Sequence, residues 1–170
     1  MIEEKYQQLC NTTSDINEHL PTLKKYAILS NTIVELGVRG MVSTWALLAG
    51  RPEAMLSVDI VHPSEHGGNV KEAKEMAKKE YINWNFEQAS SLDIGIRRCD
   101  LLFIDTIHSY EQLIKELKLH APYTVKYIIM HDTVLPEMQR AIDEFLKRNE
   151  DWKIKEVHIY NHGLTVLQRT

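Results

Sequence analysis

The sequence predicts an α/β fold: a mostly parallel, seven-stranded sheet between two layers of helices, ending in an antiparallel hairpin. Three observations lead there. Short apolar runs alternate with helix-length amphipathic segments from Thr32 to Arg148, the pattern of strands joined by crossover helices. The run L-L-F-I at 101–104 has no polar alternation, as expected of a strand buried on both faces. Finally, two strand-like runs are separated only by Y-N-H-G, too short for a crossover and suited to a hairpin turn.

Taken in order, residues 3–28 carry Tyr6, Leu9, Ile16, Leu20, Leu23 and Tyr26 at helical spacing, interrupted near Asn11–Ser14 and at Pro21. Thr32–Leu36 reads as the first strand and Val42–Ala49 as a buried helix stopped by Gly50 and Pro52. Ala54–Ile60 is the second strand, His62–Asn69 a loop and Val70–Lys79 a charged helix. Ile82–Phe86 is the third strand, Ser91–Arg98 a short helix and Asp100–Asp105 the fourth strand. Tyr110–His120 is a helix, Val125–Met130 a strand and Leu135–Arg148 a helix, with Met and Leu positions facing the core. Trp152–Ile159 and Leu164–Leu167 form the hairpin, which places an antiparallel strand at one edge. Residues 1–30 form a helical segment and 31–170 the α/β core of one domain, a size that buries a self-sufficient core.

The hydrophobic fraction of 44% and charged fraction of 26% are those of a soluble globular chain. A net charge of −4 leaves no electrostatic footprint for nucleic acid, and the lysine-rich segment K-E-A-K-E-M-A-K-K-E is a solvated helix face. No apolar run reaches membrane-spanning length, and Met1–Cys10 is polar rather than signal-like. Cys10 and Cys99 lack metal-type spacing and read as reduced thiols. The expectation is a cytoplasmic protein without nucleic-acid or membrane partners.

Ligands of open parallel sheets bind at the carboxyl ends of the strands. Here acids stand at those ends: Glu35, Asp59, Asp105 and, after the fifth strand, Asp132. The first strand runs into E-L-G-V-R-G-M-V-S-T, where the glycines let the chain turn sharply or let something come close. It is not a Walker loop, since no G-x-x-x-x-G-K-[ST] occurs. Nor is it the dinucleotide fingerprint, because Arg39 stands where the second glycine is needed and Val42 where the third is.

E-L-G-V-R-G-M-V-S-T resembles the first motif of class I S-adenosylmethionine (SAM)-dependent methyltransferases, and the resemblance extends from Thr32 to Gln168. It implies a Rossmann-like core in which Glu35, Gly37, Gly40, Ser43 and Thr44 surround the amino-acid part of the cofactor. S-V-D-I resembles the second motif, whose acid, here Asp59, accepts from the ribose hydroxyls. A-S-S-L-D falls where the family often has G-D-S, so Ser90 and Ser91 lie near adenine, with Ser90 replacing the usual acid. The segment D-L-L-F-I-D-T-I-H-S-Y resembles D-x-x-F-I-D-G-x-H-x-Y of a small-molecule O-methyltransferase subgroup, as do H-D-T and H-G-L-T-V-L. That subgroup includes cephalosporin-hydroxylase-like proteins and sugar O-methyltransferases. Homo-oligomers are common in it.

Independently of the family, carboxylates on adjacent strand ends with imidazoles nearby can hold a hard divalent cation such as Mg2+. Such an ion lowers the pKa of a coordinated hydroxyl. The resemblance to metal-dependent catechol-type and sugar-type enzymes implies Asp105 and Asp132 as the ligands, with His131 beside them; Asp105 also borders the cofactor, and Asp105 and His108 are the expected catalytic pair, with His108 as base. The family pattern is broken at Thr133, where catechol-type enzymes have Asn, and at His131, where many sugar-type enzymes have an acid. Structural alternatives stand beside each reading: Asp105 and Asp132 as helix caps, His131 as a satisfied core residue, His62 and His66 as solvated loop or lid residues, Trp84 as core. Two further functions remain open, a non-catalytic SAM- or nucleoside-binding module and a metal-dependent hydrolase.

Overall fold

The computed structural model describes residues 1–96 and 98–170. Its sheet has the order β3-β2-β1-β4-β5-β7-β6. The strands are β1 (Thr32–Leu36), β2 (Ala54–Asp59), β3 (Asn83–Gln88), β4 (Cys99–Ile104), β5 (Thr124–His131), β6 (Trp152–His158) and β7 (Leu164–Arg169). Helices α1 (Ile2–Cys10), α2 (Leu20–Ile28), α3 (Val42–Ala49) and α4 (Val70–Lys79) cover one face. Helices α5 (Tyr110–His120) and α6 (Pro136–Arg148) cover the other. The three-layer, Rossmann-like architecture is as the alternation of runs predicts. The 1–30 segment contributes Ile2, Tyr6, Leu20 and Leu23 to the same core as α3 and β1.

The reversed strand differs from expectation. It is β7, antiparallel to both β5 and β6, so it lies inside the sheet and the edge strand β6 runs with the others. Burial explains the placement: Leu164, Val166 and Leu167 are fully buried, whereas β6 exposes Lys153 and Lys155, residues that an edge tolerates. Pro21 is no interruption either; it sits in the first turn of α2, where its missing N–H costs nothing.

Among the described residues of 91–98 the expected helix does not form. Ser90 Oγ accepts from Leu92 N, and its carbonyl from Asp93 N and Ile94 N, which closes one turn at 91–93. The chain then runs irregularly through Gly95, and residue 97 lies outside the described residues. With no helix there, Asn83, Asn85 and Glu87 of β3 stay exposed on that side of the sheet.

The chain reverses its winding between β1 and β4, and Gly37 marks the point. Its φ is +88°, and a Cβ there would lie 1.9 Å from the Asp105 carbonyl oxygen. Gly37 N donates to Val58 O (2.9 Å) and Asp105 N to Leu36 O (2.8 Å), tying the ends of β1, β2 and β4 together. What comes close to this glycine is therefore the chain's own backbone. Gly37→Ala combines a left-handed strain with a backbone collision and should cost about 3 kcal/mol, a fall of about 10 °C in Tm. An unchanged melting curve would refute this close approach.

Candidate functional site

Two open cavities meet at the carboxyl ends of β1, β2 and β4. The first, about 320 Å3, is bordered by Gly37, Asp59, Ser90, Ser91 and Asp105, and also by Ile60, Ile107 and Gln112. The second, about 470 Å3, is bordered by Gly40, Ser43 and Asp105, with Ser14–Ile16 of the N-terminal segment as its far wall. Arg39, His66 and Asp105 border both. Arg39 Nη1 reaches Asp15 Oδ2 at 2.5 Å, bridging the glycine turn to the N-terminal segment.

Of the expected cofactor residues, Glu35 and Thr44 are fully buried and border neither cavity. Glu35 accepts from Ser43 Oγ (2.6 Å), Thr44 Oγ1 (2.9 Å) and Ser57 Oγ (2.6 Å). Ser57, invisible to motif reading, is itself held by Trp84 Nε1 at 3.0 Å. Burial raises the Glu35 carboxyl to about 7, although the three hydroxyls pull it down. Glu35 thus braces α3 against β1 and β2 from behind the glycine turn. Asp59 faces the first cavity, and backbone amides already meet it: Oδ2 accepts from Val38 N (2.7 Å) and Arg39 N (2.9 Å), Oδ1 from Val61 N (2.9 Å). Those bonds hold a turn in which Arg39 (φ 47°) and Met41 (φ 70°) are both left-handed.

A buried polar set under the first cavity was also missed. Glu116 lies wholly inside, and its Oε1 accepts from Ser91 Oγ (2.6 Å), Thr106 Oγ1 (2.7 Å) and Gln112 Nε2 (2.9 Å). The only sequence signal was an acid on the apolar stripe of α5, where Leu113 and Leu117 are its neighbours.

Asp105, His131 and Asp132 converge, with one ligand atom from each lying within 4.8 Å of the others. His131 Nδ1 is 2.8 Å from Asp132 Oδ2 and 3.4 Å from Asp105 Oδ1. It nevertheless has no hydrogen-bond partner and is buried. The other ring nitrogen, Nε2, lies 3.3 Å from the Asn161 carbonyl and must donate to it, so a neutral ring turns a lone pair toward two carboxylates. A positive charge is required between them, and either a proton on Nδ1 or a bound cation supplies it. Cis ligands on an octahedral ion with bonds of about 2.1 Å stand about 3 Å apart, so the spacing suits a small divalent cation. The backbone of Asp132 is left-handed (φ 57°), which turns its carboxylate back toward Asp105. Thr133 is not part of the set; its Oγ1 accepts from Thr165 Oγ1 at 2.9 Å.

His108 Nε2 lies 3.0 Å from Asp132 Oδ2 and 3.4 Å from Asp105 Oδ1. Both carboxylates raise His108 to about 9. Burial depresses His131, but the same pair overrides it and lifts the ring to about 10. Burial opposes ionisation of Asp105 and Asp132 too, yet the imidazoles hold both below the usual carboxylate range. In this arrangement His108 is a cation at neutral pH and has no lone pair for a proton. His162, the first residue of H-G-L-T-V-L and given no role by it, stands 3.8 Å from Asp132 Oδ1.

Comparison with solved structures returns this fold at low sequence identity. An O-methyltransferase from Bacillus cereus, solved with S-adenosylhomocysteine, matches with a TM-score of 0.69 and 14% identity over 99% of this chain and 90% of its own. A methyltransferase from Geobacter sulfurreducens matches at 0.68 and 14% over 99% and 88%. A ribosomal protein L11 methylase from Lactobacillus delbrueckii subsp. bulgaricus matches at 0.62 and 16% over 89% and 79%. No family profile and no curated protein matches by sequence. The chain has the fold of the class I SAM-dependent methyltransferases, a fold that carries several acceptors. Among the described residues no helix is long and apolar enough to cross a membrane.

The raised Glu35 carboxyl has a measurable consequence. Between its ordinary value of 4.5 and about 7 the folded chain keeps a proton that the unfolded chain has released, so stability falls as pH rises through that window. Glu35→Gln has no such titration. Its stability relative to wild type should improve by about 3 kcal/mol from pH 4.5 to 7.5 and stay flat above, as read by denaturant unfolding. A pH-independent difference would mean that Glu35 ionises normally.

Proposed function

We propose that this protein is a SAM-dependent methyltransferase that methylates a hydroxyl of a small molecule with the help of a divalent cation. The observation that carries the reading is the position of Asp105, which borders both cavities and belongs to the cluster with His131 and Asp132.

The first cavity suits the cofactor. Asp59 offers a carboxylate for ribose hydroxyls at the price of sharing it with the Val38 and Arg39 amides. Ile60 and Ile107, each 60% exposed, border the same cavity and suit the faces of a flat base. Gly40 and Ser43, expected beside the amino-acid part of the cofactor, border the second cavity rather than the first. The second cavity's wall at Ser14–Ile16 would give an acceptor a mixed polar surface.

Methyl transfer is an in-line displacement: the acceptor oxygen bonds the methyl carbon, the carbon–sulfur bond breaks, and S-adenosylhomocysteine leaves with the former bonding pair. The acceptor proton would pass to His108 only with that ring neutral, a state disfavoured by the two carboxylates alone. Positioning supplies much of the rate, because the sulfonium is already activated. A cation held by Asp105, Asp132 and His131 would acidify the acceptor hydroxyl. It would also offset the carboxylate pull that keeps His108 protonated. Asp105 orients His108 through their contact at 3.4 Å.

Titration calorimetry with S-adenosylhomocysteine, with magnesium or manganese and then with a chelator, tests the reading. Micromolar affinity for the nucleoside is expected, with a separate metal-binding event that Asp132→Asn weakens more than it weakens nucleoside binding. Nucleoside binding without metal binding would favour the non-catalytic module. Metal binding without nucleoside binding would favour the hydrolase.

A further inference from the structure

Gln112 lies in the first turn of α5 and borders the first cavity beside Ser91 and Thr106. Its amide can be oriented from its neighbours. Nε2 lies 2.9 Å from Glu116 Oε1 and 3.1 Å from Ser91 Oγ. Glu116 Oε1 is an acceptor, and Ser91 Oγ spends its proton on that same oxygen at 2.6 Å, leaving lone pairs for Gln112. Both partners demand a donor, so the nitrogen must face them. Ser91 is fixed in turn, because His120 Nε2 meets its carbonyl at 2.6 Å. The opposite branch of the amide, Oε1, has no hydrogen-bond partner among the described residues. Turning the amide over would place Oε1 against the Glu116 carboxylate, so the acceptor is held in one orientation.

We propose that Gln112 reads the base of the cofactor: its Oε1 accepts from the exocyclic amine of a 6-amino purine and rejects a 6-oxo purine. The inference rests on the cofactor reading of this cavity. Two acceptor oxygens would face one another with an oxo base, and the locked amide cannot offer its nitrogen instead. Glu116 is the positioning residue. Being buried, it sets Gln112, Ser91 and Thr106 at once through a single oxygen. Ser90, which stands in place of an acid, leaves this task to a neighbouring residue supplied by α5.

The test compares S-adenosylhomocysteine with S-inosylhomocysteine by calorimetry on wild type, Gln112→Leu and Gln112→Met, each checked for an unchanged melting curve. Wild type should prefer the adenosyl compound by about tenfold or more. Both variants should lose most of that preference by losing adenosyl affinity. Equal binding of the two compounds by wild type overturns the inference while leaving the cofactor reading intact, as does a preference that survives in both variants. If neither nucleoside binds to folded wild type, the cofactor reading itself fails and the role of Gln112 with it.

Discussion

Carboxylates gathered at the ends of parallel strands must each find compensation, and the form of that compensation shapes this site. A buried or half-buried charge without a partner costs several kcal/mol, more than a marginally stable domain can carry in multiples. The chain answers differently at each acid. Glu35 is sealed in with three hydroxyls and takes up a proton near neutrality. Asp59 is met by backbone amides, which fold the glycine turn around it. Asp105 and Asp132 share two imidazoles. Glu35 is closed off from both cavities, whereas Asp59 and Asp105 border the first.

The imidazole arrangement extends beyond the cluster. The Asn161 carbonyl is approached by Nε2 of His131 at 3.3 Å and by Nε2 of His19 at 3.0 Å. That carbonyl sits in a hairpin turn in which Asn161, His162 and Gly163 are all left-handed. A residue of the N-terminal segment therefore helps hold the turn that fixes the His131 ring. His19 also stacks on Tyr160, with ring centroids 5.0 Å apart, so the segment, the hairpin and the strand end behave as one packed unit.

Much of this was legible in the sequence, for identifiable reasons. A strand such as L-L-F-I, buried on both faces, leaves no other reading, and acids after such runs announce their position at the mouth of the sheet. The glycine turn was legible as a turn; that Gly37 yields space to the Asp105 backbone was not, because that partner is far away in sequence. Glu35 looked like a cofactor anchor, since nothing local shows that Ser57, on another strand, helps close it off. Ser91–Arg98 looked helical by composition, but Ser90 closes a single turn there. Gln112 and Glu116 were hidden by the amphipathic pattern of α5. In that pattern polar residues read as solvated unless the opposite wall, here Ser91 and Thr106, is known.

Among the described residues between β3 and β4 a single turn at 91–93 stands where a helix is expected, with Ser90 and Ser91 bordering the first cavity. A planar ring seated between Ile60 and Ile107 would supply apolar cover that the chain does not supply for itself. Occupancy and folding then become linked quantities: each tenfold excess of ligand over its dissociation constant adds about 1.4 kcal/mol to the folded state.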